Sequence, residues 1–160
     1  MRTAGAMLVA ALVLTSAACY ESGEPLSAAG EPIDQALVGD WDCRPSGPED
    51  DQILFRIRRF DRYQYFVETA EKDGSTDRYQ VYASRVGGRT LLNVRDIEQK
   101  SPPDRWVFLR YALDGRDRMS FWVIPEEALK GVEPGQAMAT IRRRVTDDAI
   151  YRKVADCRRR

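Results

Sequence analysis

Histidine is missing from all 160 residues. Its absence excludes Ser-His-Asp and Cys-His catalysis and removes the commonest zinc ligand. Charge of one sign is missing too, because 25 basic and 25 acidic side chains cancel. Nothing in that balance points to nucleic acid. No apolar run reaches the ~20 residues that a spanning helix needs. No metal-ligand spacing, glycine-rich phosphate loop or nucleophile elbow occurs, so neither a metal nor a cofactor is expected. Cysteine is scarce: Cys19, Cys43 and Cys157 are the three.

What is present begins at the amino terminus. Arg2 supplies a positive charge, Ala4 to Leu14 is an unbroken run of apolar and small residues, and Thr15-Ser16-Ala17-Ala18-Cys19 follows. A positive start, a short apolar run and small residues before a cleavage point describe a secretory signal. Its end resembles the lipobox of bacterial lipoproteins, with Ser16 where leucine is more usual. The resemblance implies cleavage before Cys19, a thioether-linked diacylglycerol on its sulfur and an acylated amino terminus. The membrane, reached through that lipid, is then the first partner. Tyr20 rather than Asp follows the cysteine, which favours the periplasmic face of the outer membrane of a Gram-negative bacterium. An envelope lipoprotein would not meet nucleic acid. With Cys19 lipidated, Cys43 and Cys157 remain, and in an oxidising compartment two leftover cysteines read as one disulfide. The alternative, a redox or metal pair, needs closer spacing or nearby basic groups.

Three regions are expected: a signal peptide over 1–18, a lipidated tether over 19–37 and one domain over 38–160. The tether is rich in Glu, Ser, Gly, Pro and Ala and cannot build a core. As a flexible chain it would reach ~20–25 Å. From Val38 the texture changes to short alternating segments: Val38 to Arg44, Ile53 to Arg59, Tyr63 to Ala70, Arg78 to Arg85, Thr90 to Arg95, Trp106 to Leu113 and Met119 to Ile124. Tight turns at Asp61-Arg62, Asp73-Gly74, Gly87-Gly88 and Asp114-Gly115 make this an antiparallel meander. Two-residue turns would collect Ile53, Phe55, Ile57, Phe66, Ala70, Tyr79, Val81, Ala83, Leu92 and Val94 on one face. Glu68 would join that face opposite Tyr79. Trp106, Phe108, Met119, Phe121 and Val123 would share one side of the last hairpin, with Val107, Leu109, Tyr111, Trp122 and Ile124 on the other. Both sides are apolar, so a cover is required. The stripe Ala137, Met138, Ile141 and Val145 after Pro134 makes a helix the candidate. Ile150 to Cys157 reads as helix or closing strand, and pairing of Cys157 with Cys43 favours the strand.

A meander of seven or eight strands opened by Gly39-Asp40-Trp41 and joined by a C-terminal helix resembles the lipocalin and wider calycin barrels. The resemblance implies a small mainly β barrel. It implies that Trp41 closes the barrel bottom and that a late arginine, nearest at Arg158, packs on the indole. It also implies a binding protein for a small apolar or lipidic ligand.

Other residues offer narrower readings. Glu68 and Tyr79, with Arg110 in register with Trp106 and Phe108, are the candidate ligand-binding set within the barrel. A buried carboxylate needs a partner, so a structural ion pair is the competing account. Glu68 as general acid/base would make the protein an enzyme. A filled barrel would instead make it a protein-interaction or inhibitor lipoprotein whose partner is another envelope protein. Tyr65, Tyr82 and Asn93 line up as a recognition patch or as ordinary cross-strand pairs. The runs Arg142-Arg143-Arg144 and Arg158-Arg159-Arg160 would meet anionic lipid or simply solvent. Asp40 and Asp42 share a strand face but are too isolated for a catalytic dyad.

Overall fold

Each alternating segment forms a strand: β1 (Gly39–Pro45), β2 (Ile53–Arg59), β3 (Gln64–Ala70), β4 (Thr76–Val86), β5 (Arg89–Asp96), β6 (Val107–Asp114), β7 (Arg118–Val123) and β8 (Arg152–Arg159). The structure, a computed structural model, describes residues 19–47, 51–98 and 105–160. The signal peptide expected over 1–18 lies outside the described residues, as does Pro102-Pro103. Every strand pairs antiparallel with its neighbour in sequence, and β8 returns to β1. The sheet is thereby closed and exposes no edge for another chain to extend. A short helix, α1 (Ala137–Arg144), precedes β8. The expected antiparallel meander barrel with a C-terminal helix is what forms, and the segment after Ile150 is the closing strand. Cys43 lies directly across the β1–β8 seam from Cys157. A disulfide joins them, with the Cα atoms 4.0 Å apart.

The barrel interior holds Trp41, Cys43, Ile57, Tyr65, Val67, Val81, Leu92, Met119 and Phe121. Trp41 is fully buried and its indole N–H donates to the carbonyl of Leu37 at 2.9 Å. Leu37 belongs to a 3-10 turn, Gln35–Leu37, whose first N–H groups are served by Asp34: its carboxylate accepts from the Ala36 N–H at 2.9 Å. Together these residues plug the end where β1 begins.

Strand β3 is turned over relative to the expectation. Glu68 pairs with Arg78, not Tyr79, and Val67 takes the place opposite Tyr79. The cause is loop parity. At the β3–β4 connection the Gly74 N–H donates to the Glu71 carbonyl and the Glu71 N–H to the Ser75 carbonyl. Gly74 adopts φ +86°, the left-handed residue that closes a type I turn of odd length. Asp-Gly is thus not a two-residue turn here. At the β2–β3 connection the Asp61 carboxylate accepts the N–H groups of Tyr63 and Gln64 at 2.7 and 2.8 Å, which again sets an odd loop. Two odd loops flanking one strand invert that strand and leave its neighbours unchanged. Hence Tyr65, Val67 and Thr69 point inward, and Phe66 and Glu68 outward. At Gly87-Gly88 the two-residue reading holds: Val81 faces Val94 and Ala83 faces Leu92.

The last hairpin shows the same parity effect. Asp114 pairs with Arg118, and Tyr111 with Phe121. Val107, Leu109 and Tyr111 therefore share the inner face with Met119, Phe121 and Val123. Trp106, Phe108 and Arg110 lie outside.

The outer apolar face carries Tyr82, Leu91, Trp106, Phe108 and Ile124, and it is covered by two segments. One is α1 with its flanks, through Ile141, Val145 and Ile150. The other is the expected tether, which is not free. Residues 19–37 run as a strap along the barrel, with Cys19, Ser22, Leu26 and Leu37 buried. The strap's backbone is bonded along its length. The Tyr20 N–H donates to the Ile124 carbonyl at 2.9 Å, and Ser22 and Trp106 exchange N–H···O bonds of 2.9 and 2.8 Å. Composition misled here because a strap with few apolar residues can still dock when the barrel supplies the apolar surface.

Candidate functional site

Closure of the barrel leaves a cavity of about 90 Å³ on its axis. Its wall includes Phe55, Val67, Tyr79, Leu109, Phe121 and Val154, and among the described residues it contains no charged side chain. The lower end is sealed by Leu37 and Trp41. At the other end the lining reaches the strand termini at Pro45, Ile53 and Thr69. Phe55 and Phe121, both in this wall, stack with ring centroids 6.1 Å apart.

Three hydroxyls are the polar features of this wall: those of Tyr65, Thr69 and Tyr79. Tyr65 is committed, because its oxygen accepts the Asp34 N–H at 2.6 Å. Burial pushes its pKa up to about 12, against the lowering effect of that hydrogen bond. Tyr111, half-buried against the same core, is also pushed up to about 12 by burial, with Asp34 adding to the effect. Tyr79 is raised further still, again chiefly by burial, and its hydroxyl interacts with Thr69. All three are neutral at physiological pH and serve as hydrogen-bonding groups, not as bases.

Of the candidate binding set, the cavity contains Tyr79 alone. Glu68 is on the outer surface, bonded to Arg56 at 2.7 Å and Arg78 at 3.3 Å. Those two arginines hold its pKa below the usual carboxylate range. A general acid in the lumen would need the opposite environment. Arg110 is outside as well, bonded to Asp148 at 2.9 Å and stacked 4.8 Å from the Trp122 ring centroid. Both misplacements follow from the loop parity described above.

The residue on the Trp41 indole is Arg159, not Arg158. Its guanidinium carbon lies 4.2 Å from the ring centroid, and its nitrogens donate to the carbonyls of Ala36, Val38 and Arg116. Arg158 is exposed, because adjacent residues of a strand face opposite sides. The other charged candidates serve the fold. Asp40 pairs with Arg58 and Asp42 with Arg160. Arg142 donates to the Leu26 carbonyl, and Arg144 to the Ala128 carbonyl and Asp147.

Tyr82 and Asn93 do sit on the outer face, while Tyr65 lies inside. They recognise the chain itself. The Asn93 carboxamide oxygen accepts the Leu26 N–H at 2.8 Å, and its nitrogen donates to Ser84 Oγ at 2.8 Å. Ser84 and Ser27 share a hydroxyl contact of 2.6 Å, and the Tyr82 hydroxyl donates to the Ser27 carbonyl at 2.8 Å. The sequence carried no signal for this, because Gln80 and Arg95 share the outer face with Ser84 and Asn93 and all four read as ordinary solvent-facing polar residues.

Cys19 lies at the rim opposite Trp41, bridged to Pro125 just past the end of β7. It is 1 % exposed and clusters with Val107 and Val123, with Leu109 and Val154 packed against them. Burial pushes its thiol pKa up. Leu109 and Val154 also line the cavity, so Cys19 and the cavity share a wall. Among the described residues no group of three or more His, Cys, Asp or Glu is placed to hold a metal, and no helix is long and apolar enough to cross a membrane.

Comparison with protein-family models, with curated proteins and with solved structures gives no match for this chain.

Proposed function

We propose that the protein is a lipid-anchored binding protein of the cell envelope that holds a small apolar or lipidic group in its barrel. The carrying observation is the cavity itself, an uncharged lumen sealed at one end and reaching the strand termini at the other. Water gains little in such a space, whereas an apolar group placed there leaves water and fills unpaired van der Waals surface. Gly39-x-Trp41 under Arg159 adds the resemblance to lipocalin-like barrels. The Cys43–Cys157 disulfide agrees with an oxidising compartment. The leader over 1–18 followed by Cys19 supports a membrane location, with the periplasmic face of the outer membrane as the reading.

A lumen of about 90 Å³ is smaller than the ~150 Å³ cavity that accepts benzene, so it suits a short segment of an acyl chain, not a whole lipid. The same small volume favours a second reading, a filled barrel whose outer surface meets another envelope protein. Organic extraction of the protein purified from membranes, followed by mass spectrometry, separates the two. Bound lipid above the level on a control lipoprotein is expected. An extract no richer than the control overturns the ligand reading and leaves the protein–protein one.

A further inference from the structure

We infer that the barrel is held with the rim opposite Trp41, where β1 ends and β6 begins, against the lipid surface. This rests on the lipid-anchor reading above and adds an orientation to it.

The argument is one of chain path. Strand β1 starts at the sealed end, beside Leu37 and Trp41. A chain that simply left the barrel there would present the sealed end to the membrane. Instead the strap runs back along the outside. It touches the sealed end where the Ile33 N–H donates to the Arg62 carbonyl. It crosses the middle of the wall at Leu26 and Ser27, on Asn93, Ser84 and Tyr82. It reaches the opposite rim at Ser22 and Cys19, beside the start of β6 and the end of β7. The apolar leader and the lipid expected to replace it both attach at this same point.

No slack remains in that path. Tyr20 and Ser22 are fixed by backbone hydrogen bonds immediately after the anchor position. The ~20–25 Å reach of a free tether is therefore lost, and the rim stays near the headgroups. Side chains at the two ends mark the geometry. Ile97, beyond the end of β5 on the rim opposite Trp41, is an exposed large hydrophobe, and Phe60, on the β2–β3 loop, is another at the sealed end. The occupant of that rim is the phospholipid surface that holds the Cys19 lipid, because the chain path brings position 19 there. Cys19 clusters there with Val107 and Val123, and Leu109 and Val154, packed against that cluster, also line the cavity.

The test uses the mature lipidated protein carrying either Ile97→Cys or Phe60→Cys. With Cys19 in its thioether and Cys43 bonded to Cys157, the new thiol is the one available to a fluorescent maleimide. Each labelled protein is reconstituted into phosphatidylcholine vesicles containing a spin-labelled lipid quencher. Severalfold stronger quenching at position 97 than at position 60 is expected. Equal quenching, or stronger quenching at 60, overturns the orientation. Fatty-acid labelling is scored on the same preparations, with Cys19→Ser as control. Labelling equal in wild type and Cys19→Ser defeats the anchor reading, whereas Cys19-dependent labelling with equal quenching defeats the orientation alone.

Discussion

Gly39 and Arg159 are fitted to one another at the sealed end of the barrel. A Cβ on Gly39 would lie 2.5 Å from Arg159 Nη1, and Gly39 has φ +147°, where side chains are rarely found. Arg159 has no room to retreat, because its nitrogens donate to three carbonyls while its plane covers Trp41. Gly-x-Trp is thus a mechanical requirement: the glycine lets the arginine approach the indole that fills the barrel end.

Gly39→Ala is expected to cost about 1–3 kcal/mol through backbone strain and displacement of Arg159. Arg159→Ala is expected to destabilise by about 1–2 kcal/mol through loss of the stacked cation and its bonds to backbone. Arg158→Ala, at an exposed neighbour, should stay within about 0.5 kcal/mol of wild type. Urea denaturation of the soluble domain measures all three. Equal effects at 158 and 159 would show that the stack on Trp41 carries no stability.

The disulfide closes the barrel seam across a sequence separation of 114 residues. Chain-entropy reasoning gives a contribution of about 5 kcal/mol, acting mainly on the unfolded chain. Replacing both cysteines by alanine should lower the denaturation midpoint sharply, with little change in the folded spectrum. A midpoint equal to that of the bonded protein would mean that strand pairing of β1 with β8 already holds the seam.

High pH should unfold the protein through its buried tyrosines. Tyr65 and Tyr111 titrate near 12 in the folded state, pushed up by burial, against ~10 when unfolded. A phenol whose folded pKa exceeds its unfolded one contributes stability that is complete below pH ~10. That stability is lost as the pH rises through the folded value, because the unfolded chain releases the proton more readily. Denaturant midpoints should therefore be flat from neutral pH to about 9.5 and fall steeply above 10. Tyrosinate absorbance should rise together with the loss of folded signal. Free titration of every tyrosine near pH 10 in a protein that stays folded would place Tyr65 and Tyr111 in water.

Seven strands and their order were legible in the chain, because period-2 alternation and turn residues are local signals, whereas closure by the eighth rested on the lipocalin resemblance and the pairing of Cys43 with Cys157. The faces of β2, β4 and β5 were legible too, since Gly87-Gly88 forms the two-residue turn that its sequence suggests. Placement of Glu68 and Arg110 was not. It depended on whether Asp73-Gly74 and Asp114-Gly115 close even or odd loops, and a difference of one residue there exchanges inside for outside. The strap was hidden for a different reason. Its own residues carry no periodicity, and its docking energy comes from Leu91, Phe108 and Trp106 on the barrel together with the carboxamide of Asn93.

The amino-acid sequence alone therefore determined the antiparallel meander, through local alternation and turns, and the Cys43–Cys157 pairing, through elimination among few cysteines, while the barrel and the place of Trp41 came from the lipocalin resemblance. The tertiary structure alone decided which side chains face the lumen, which arginine covers the indole and where position 19 comes to rest. Those depend on loop hydrogen bonds and on contacts between segments far apart in the chain, whose free energies exist only once the barrel has closed.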